Sequence, residues 1–132
     1  MDAQWLDPCD LRVVDDAAGR PVFELLRPFA FWSAACEREF TVPQGTTTDG
    51  PSVPILLAPL IGAQSVGFRA AVLHDWLVRS REVERKVADR VFLEALRVCG
   101  VAEDVAQAMY AAVAAYTHHT TYEAPPTEYG SG

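Results

Sequence analysis

Residues 67–99 read GFRAAVLHDWLVRSREVERKVADRVFLEALRVC, and this segment carries the strongest structural signal of the chain. Apolar residues recur in it at intervals of three and four, which is the pattern of helices that bury one face in a core. The pattern predicts two helices, at about 66–80 and 82–99, with a very short connection around Arg81. Helices joined by so short a link pack side by side and run in opposite directions. The sequence therefore predicts an antiparallel helix pair.

Two polar side chains of this pair, His74 and Asp89, lie on stripes that are otherwise apolar. Their neighbours on these stripes are Ala70, Ala71, Leu77 and Val78 for His74, and Phe92, Leu93 and Leu96 for Asp89. A buried carboxylate is costly unless it is paired. At a rise of about 1.5 Å per residue, both side chains lie about 11 Å from the turn. The sequence therefore predicts a buried His74–Asp89 pair, an arrangement that serves as a general base in enzymes.

Other interpretations of these residues stay open. His74 could be a core histidine with a structural role only, and Asp89 could pair with Arg85 or Lys86 on its own helix. Asp75 points about 100° away from His74 around the helix. It could be solvated, or it could face the segment that covers the helix pair, for which TTTDGPSVP at 46–54 is the obvious candidate.

The rest of the chain predicts short strands and one more helix. Apolar segments at 11–14 and 21–26 flank the turn signal DDAAGR and indicate a hairpin. Further strand is expected at 29–35 and 39–42, mainly loop at 46–67 and a third helix at 102–116. We therefore predict an α+β fold in which an N-terminal antiparallel hairpin or small sheet packs on the helix pair and a third helix. It forms a single domain over 1–120, with a β-rich cover at 1–45, a loop at 46–65, helices at 66–117 and an extended tail at 121–132.

The composition of the chain limits the classes of partner that it can bind. The chain has 132 residues, a net charge of −7 and no basic stripe, which argues against nucleic acid and anionic membranes as partners. No apolar run is long enough for an integral membrane segment, and no signal peptide is visible. The cysteines, Cys9, Cys36 and Cys99, are too few and too scattered for a disulfide framework or a zinc site. Reduced thiols in a cytoplasm are the simplest account.

Asp49 and Gly50 form a second candidate site. A carboxylate beside a flexible backbone, whose carbonyls can turn inward, suits a hard cation such as calcium. The alternative is an Asp-Gly turn without a metal.

The order of these elements resembles the catalytic core of bacterial and fungal secreted phospholipase A2 enzymes, over about 46–99. The matching residues are Thr48, Asp49, Gly50, Phe68, Ala70, His74, Asp75, Arg79, Arg85, Asp89, Phe92, Arg97 and Cys99. The chain also resembles a family of small uncharacterised phage and prophage proteins with V-P-x-G, T-D-G-x-S-x-P, H-D and A-D-x-x-F elements in this order. That match extends over 40–96 and is the closer of the two.

The phospholipase resemblance implies a role for each site residue. His74 would be the general base that activates water for ester hydrolysis, and Asp89 would orient it and stabilise its charge. Asp49, Asp75 and the Gly50 carbonyl would bind calcium as a cofactor, and the ion would stabilise the oxyanion. It also implies a helix pair packed as in phospholipase A2, with the calcium loop at 46–65.

The chain departs from the secreted enzymes at three positions. Those enzymes tie the calcium loop to the histidine helix with a disulfide, where this chain has Pro51 and Ala71. Losing both cysteines together fits a reducing compartment. Val78 replaces a tyrosine whose hydroxyl helps to hold the catalytic carboxylate, and this puts activity in question more than fold.

We expect a phage-type, calcium-dependent hydrolase of phospholipase A2-like mechanism that acts on a lipid or another ester or amide. It would work in the bacterial host cytoplasm, in the phage virion, or in both. The alternative is a non-catalytic virion or tail-associated structural protein that retains the scaffold and binds other virion proteins. A host-interaction or anti-defence protein is a third possibility. The complete set of Asp49, His74, Asp75 and Asp89 favours the enzyme, whereas Val78 and the lack of a basic surface favour the structural role.

Overall fold

The computed structural model describes residues 1–15, 21–49 and 67–120. Strands come first in these ranges and helices follow, which makes the fold α+β as predicted. The strands are β1 (Gln4–Trp5), β2 (Leu11–Asp15), β3 (Pro21–Leu25), β4 (Phe29–Ser33), β5 (Arg38–Val42) and β6 (Thr47–Asp49). The helices are α1 (Phe68–Ser80), α2 (Arg85–Val98) and α3 (Glu103–Thr120).

The six strands form two small antiparallel sheets, with the orders β1–β4–β5 and β2–β3–β6. β2 and β3 pair with Leu11 opposite Leu25, which confirms the predicted hairpin. In the other sheet Phe31 of β4 lies opposite Phe40 of β5. Both of these phenylalanines are buried, so the face of this sheet that carries them belongs to the core.

Two strands correct the prediction. Loop was predicted from residue 46 onward, but Thr47–Asp49 form β6 along β3. Three residues are too few to show the alternation that marks a strand, and it is the pairing with β3 that gives this backbone its hydrogen bonds. β1 escaped prediction for the same reason. The remainder of the predicted loop, 50–66, and the predicted tail, 121–132, lie outside the described residues.

The helix pair forms as predicted, within a few residues at each end. α1 ends where Arg81 adopts a left-handed backbone conformation with φ of 58°. Only residues 81–84 separate α1 from α2, so the chain reverses direction and the two helices lie against each other. Gly100, with φ of 89°, then turns the chain between α2 and α3. Such a positive φ favours glycine, which has no Cβ to clash.

α2 lies at the centre of the molecule. It contacts α1, α3, β1 and β4, whereas β6 contacts α1. Its amphipathic pattern explains this position, because the buried residues recur along one stripe. These are Ala88, Asp89, Val91, Phe92, Ala95 and Leu96. One carboxylate therefore lies within an apolar stripe.

Glu94 joins α2 to the turn between β4 and β5. Its carboxylate accepts a hydrogen bond from the Ser33 hydroxyl at 2.6 Å and from the backbone amides of Ala34 and Ala35 at 2.9 and 3.0 Å. Ser33 is fully buried, and its hydroxyl oxygen also accepts from the Cys36 amide at 3.1 Å. A single side chain on α2 thus accepts hydrogen bonds from three donors at the turn between β4 and β5.

Replacing Glu94 by alanine is expected to lower the free energy of unfolding by about 1.5–3 kcal/mol, since hydrogen bonds to a charged acceptor are lost and their donors lose their partner. Glu94→Gln should cost less, because the amide oxygen still accepts. Urea denaturation of both variants measures this difference. Equal loss in the two variants would contradict the role given to the charge.

Arg97 and Glu103 connect the end of α2 to the start of α3, with N–O distances of 2.9 and 2.7 Å. Hydrogen bonds from Arg97 and Gln107 lower the pKa of Glu103 from 4.5 to about 2. A lowered pKa means that the folded protein holds the ionised form more firmly. Its contribution to stability is therefore complete above pH 4.5 and is lost as pH falls toward 2.

Glu103→Gln is expected to lower the melting temperature slightly at neutral pH and to match the wild type near pH 2. The effect is small because both side chains are exposed and water screens the pair. Melting curves of the two proteins at a series of pH values test the expectation. A difference that does not shrink on acidification would speak against the Arg97–Glu103 contact as its source.

Candidate active site

The predicted pair of His74 and Asp89 is present. His74 Nε2 on α1 lies 2.7 Å from Asp89 Oδ1 on α2. Each residue lies nearly the same distance from the turn between the helices, as the spacing predicted. The pair is therefore a consequence of helix geometry together with one short connection.

The surroundings of the pair are apolar and nearly dry. The side chain of Asp89 is 5% exposed and that of His74 is 14% exposed. The ring of Phe92 packs against the imidazole, with 5.0 Å between centroids and an angle of 45° between planes. Burial strengthens the attraction between the two side chains, and it also makes either one costly to leave alone.

Asp75 faces β6, as predicted from its position one step around the helix. The Thr48 hydroxyl donates a hydrogen bond to the Asp75 carboxylate. Arg79, one turn further along α1, places a guanidinium nitrogen 2.8 Å from Asp75 Oδ2. The same nitrogen donates to the backbone carbonyl of Thr47. Asp75 and Arg79 thus fasten β6 to the helix that carries His74.

Burial raises the pKa of Asp75 above its usual value, because the carboxylate loses hydration. The positive charge of Arg79, the Thr48 hydrogen bond and His74 act in the opposite direction. The ionised form of this carboxylate consequently depends on a nearby cation, and in this structure the cation is Arg79.

The residues proposed for calcium are only partly described. The Asp49 backbone belongs to β6, next to the Thr48 that bonds Asp75, but the Asp49 side chain and Gly50 lie outside the described residues. Over 1–15, 21–49 and 67–120 there is no group of three or more His, Cys, Asp or Glu side chains that could hold a metal. Asp75 could supply one of the several oxygen ligands that a hard cation needs, because Oδ2 is buried and has no hydrogen bond of acceptable geometry in those ranges, although the Arg79 guanidinium lies 2.8 Å from it.

A cysteine thiol could act as a nucleophile, but the structure argues against this role for two of the three cysteines. Cys9, Cys36 and Cys99 carry free thiols. Burial raises the pKa of Cys9 to about 11 and that of Cys99 above its ordinary value. At neutral pH both are protonated and are poor nucleophiles.

Arg79 was named in the sequence only as a position that matches the phospholipase pattern, and Phe92 also as a neighbour of Asp89 on the apolar stripe, but their contacts in the site were not predicted. The spacing of four residues between Asp75 and Arg79 is a signal for an ion pair that could have revealed the first. Phe92 lies three residues after Asp89, on the same stripe. No local signal identifies the Thr48 hydrogen bond to Asp75, because it joins segments far apart in the chain.

A family model described as "Protein of unknown function (DUF1353)" matches residues 23–113. The chain belongs to the DUF1353 family. The matched segment begins in β3 and ends in α3, so the complete helix pair with His74, Asp75 and Asp89 lies inside the DUF1353 domain.

Two proteins of Sinorhizobium fredii are similar to this DUF1353 chain. "Uncharacterized protein y4jT" is 36% identical over 110 residues, which is 82% of this chain and 32% of that protein. "Uncharacterized protein y4iH" is 33% identical over 89 residues, which is 66% of this chain and 37% of that protein. The chain therefore spans about a third of the length of the curated relatives that it matches. No solved structure matches it.

No helix within residues 1–15, 21–49 and 67–120 is both long enough and apolar enough to cross a bilayer.

Proposed function

We propose that this DUF1353 chain is a hydrolase of phospholipase A2-like mechanism in which His74 is the general base. The observation that carries the proposal is the 2.7 Å contact between His74 Nε2 and Asp89 Oδ1 inside the helix pair. A buried carboxylate that accepts from one imidazole nitrogen sets the tautomer and orients the ring, which leaves the other nitrogen to accept a proton. The phage or prophage origin and the phospholipase-like packing of the helices belong to the same proposal.

The chemistry follows from the tautomer. With Asp89 accepting from Nε2–H, the lone pair of the neutral imidazole lies on Nδ1. Nδ1 takes a proton from water as the water oxygen attacks the acyl carbon of an ester. Asp89 stabilises the imidazolium, which then gives the proton to the departing alkoxide as the C–O bond breaks. The products are a carboxylic acid and an alcohol.

Calcium is the second part of the proposal. Asp75, Asp49 and the Gly50 carbonyl would hold the ion, and when bound it would supply positive charge to the oxyanion. The support for this part is the buried Asp75 oxygen and the position of the Asp49 backbone beside Thr48. The resemblance of 46–99 to secreted phospholipase A2 enzymes supports the ligand set.

Calorimetric titration with calcium chloride is the first test of the metal. We expect binding in the micromolar-to-millimolar range that Asp49→Ala abolishes, because a carboxylate ligand is removed. No heat of binding at tens of millimolar calcium would end the calcium part. Binding that survives in Asp49→Ala would assign it to a different site.

Acyl release from phosphatidylcholine in mixed micelles and from a short-chain ester and amide tests the reaction, with calcium or with a chelator. Release that needs calcium supports both parts of the proposal. Release that persists with a chelator supports His74 as base without calcium. No release from any of these substrates would favour a non-catalytic virion or tail-associated protein. The Asp75–Arg79 link to β6 would then have a structural role only.

A further inference from the structure

Arg79 occupies the position beside Asp75 that a bound cation would need. Its guanidinium nitrogen lies 2.8 Å from Asp75 Oδ2 and also donates to the Thr47 carbonyl. One nitrogen thus neutralises a carboxylate of α1 and binds the backbone of β6. This contact brings a positive charge to the carboxylate next to His74.

The contact is an ion pair and is poorly directed as a hydrogen bond. Although the two atoms are close, Asp75 Oδ2 has no hydrogen-bond partner of acceptable geometry among the described residues. One of the two N–H groups of this nitrogen points to the Thr47 carbonyl. Oδ2 therefore keeps lone pairs that another cation can use.

The two side chains also differ in their access to water. That of Asp75 is 11% exposed, whereas that of Arg79 is 52% exposed. A half-exposed arginine can turn its guanidinium into solvent without opening the core, because its long stem is flexible and its charge is then hydrated. The buried carboxylate has no such freedom and must keep a cation nearby.

We propose that Arg79 is a built-in competitor of calcium for Asp75. In the calcium-free protein the guanidinium neutralises Asp75. Calcium binds only as Arg79 leaves both Oδ2 and the Thr47 carbonyl. This inference rests on the calcium part of the proposed function and adds the regulation of that site.

Electrostatics requires the exchange. A guanidinium and a divalent ion at the same carboxylate oxygen would repel each other strongly in a buried setting, so both cannot stay. Departure of Arg79 also releases β6 from α1 at Thr47. Calcium binding is thereby coupled to a local change in the strand that leads to Asp49.

Titration of the full chain with calcium chloride tests the competition. Arg79→Gln is expected to bind calcium about 3- to 10-fold more tightly than the wild type, the range expected for losing a partly exposed competing ion pair. The matched control is Arg27→Gln. It removes the same charge and breaks an ion pair of the same 2.8 Å length with Asp10, on the strand side of the molecule. Its calcium affinity should equal that of the wild type.

A second readout follows the released strand. In the wild type, calcium should shift the nuclear magnetic resonance signal of the Thr48 amide, whose peptide group includes the Thr47 carbonyl. In Arg79→Gln this signal should already be shifted without calcium. Melting curves confirm that the variant is folded, as its exposed position leads us to expect.

Unchanged or weaker affinity in Arg79→Gln would overturn the competition. Equal tightening in Arg27→Gln would overturn it as well, since a general charge effect would then be the cause. If neither the wild type nor Arg79→Gln binds calcium, the competition and the calcium part fail together. The role of His74 is untouched by that result, because ester hydrolysis with a chelator present measures it separately.

Discussion

Replacing His74 by glutamine is expected to lower the rate of ester hydrolysis by about 10²- to 10⁴-fold, the range for losing a general base. Glutamine has similar bulk and can still hydrogen-bond Asp89, which lies 2.7 Å from the imidazole in the wild type. It has no basic nitrogen, so it cannot take a proton from water. Acyl release per mole of enzyme, measured on the substrate that the wild type cleaves best, gives the ratio.

Asp89→Asn is expected to lower the same rate by a comparable factor, for a different reason. The asparagine amide can donate to Nε2, which traps the tautomer with the proton on Nδ1 and removes the base. The double variant should be little worse than either single one, because both changes disable one unit. If the rate reduction of the double variant equals the product of the two single reductions, the two side chains act independently.

Two controls separate loss of chemistry from loss of structure. Arg90→Gln changes an exposed side chain beside Asp89 on the same helix and should leave the rate unchanged. Melting curves should show that the His74 and Asp89 variants are folded at the assay temperature. A fully active, folded His74→Gln protein would remove His74 from the mechanism and leave the pair as a structural element of the core.

Replacing Phe92 by alanine is expected to lower the free energy of unfolding by about 3–5 kcal/mol, the range for truncating a buried phenylalanine. Phe92 is 1% exposed and lies on the buried stripe of the central helix. Domains of this size are stable by only about 5–15 kcal/mol, so the loss could leave the protein partly unfolded at physiological temperature. Urea denaturation of the wild type and the variant measures it.

Val13 provides the comparison for this experiment. Its side chain on β2 is 60% exposed, and Val13→Ala should change stability by no more than about 0.5 kcal/mol. Phe92→Leu keeps most of the apolar volume and should fold. The Phe92 ring packs against the imidazole, with 5.0 Å between ring centroids. Phe92→Leu should therefore lower the rate of ester hydrolysis even though the protein stays folded. A variant as active as the wild type would show that the ring does not position His74.

The His74–Asp89 pair could be predicted without a structure because its determinants are local. A period of three to four residues identifies two helices, and a short link makes them antiparallel. Equal distances from the turn then bring two residues to one height. The orientation of Asp75 toward the segment that begins at residue 46 followed from the same helix geometry, and Thr48 of that segment is its hydrogen-bond partner.

The sheets were only partly predictable. The β2–β3 hairpin was indicated by two apolar segments around a turn signal, and further strand was expected at 29–35 and 39–42, where β4 and β5 lie. β1 and β6 are two and three residues long and exist because a longer strand offers them hydrogen bonds. No periodicity can develop over such lengths. The division into two sheets is likewise a matter of which edges meet in space.

Helix periodicity and a short connection act over neighbouring residues, so the α+β class, the helix pair and the residues that meet inside it could be predicted without a structure. Packing between distant segments places β6 against α1 and brings Arg79 to both Asp75 and the Thr47 carbonyl. It also decided that Glu94 satisfies a turn of the distant sheet. These contacts join polar groups of separate elements, and packing in three dimensions decides which of them meet.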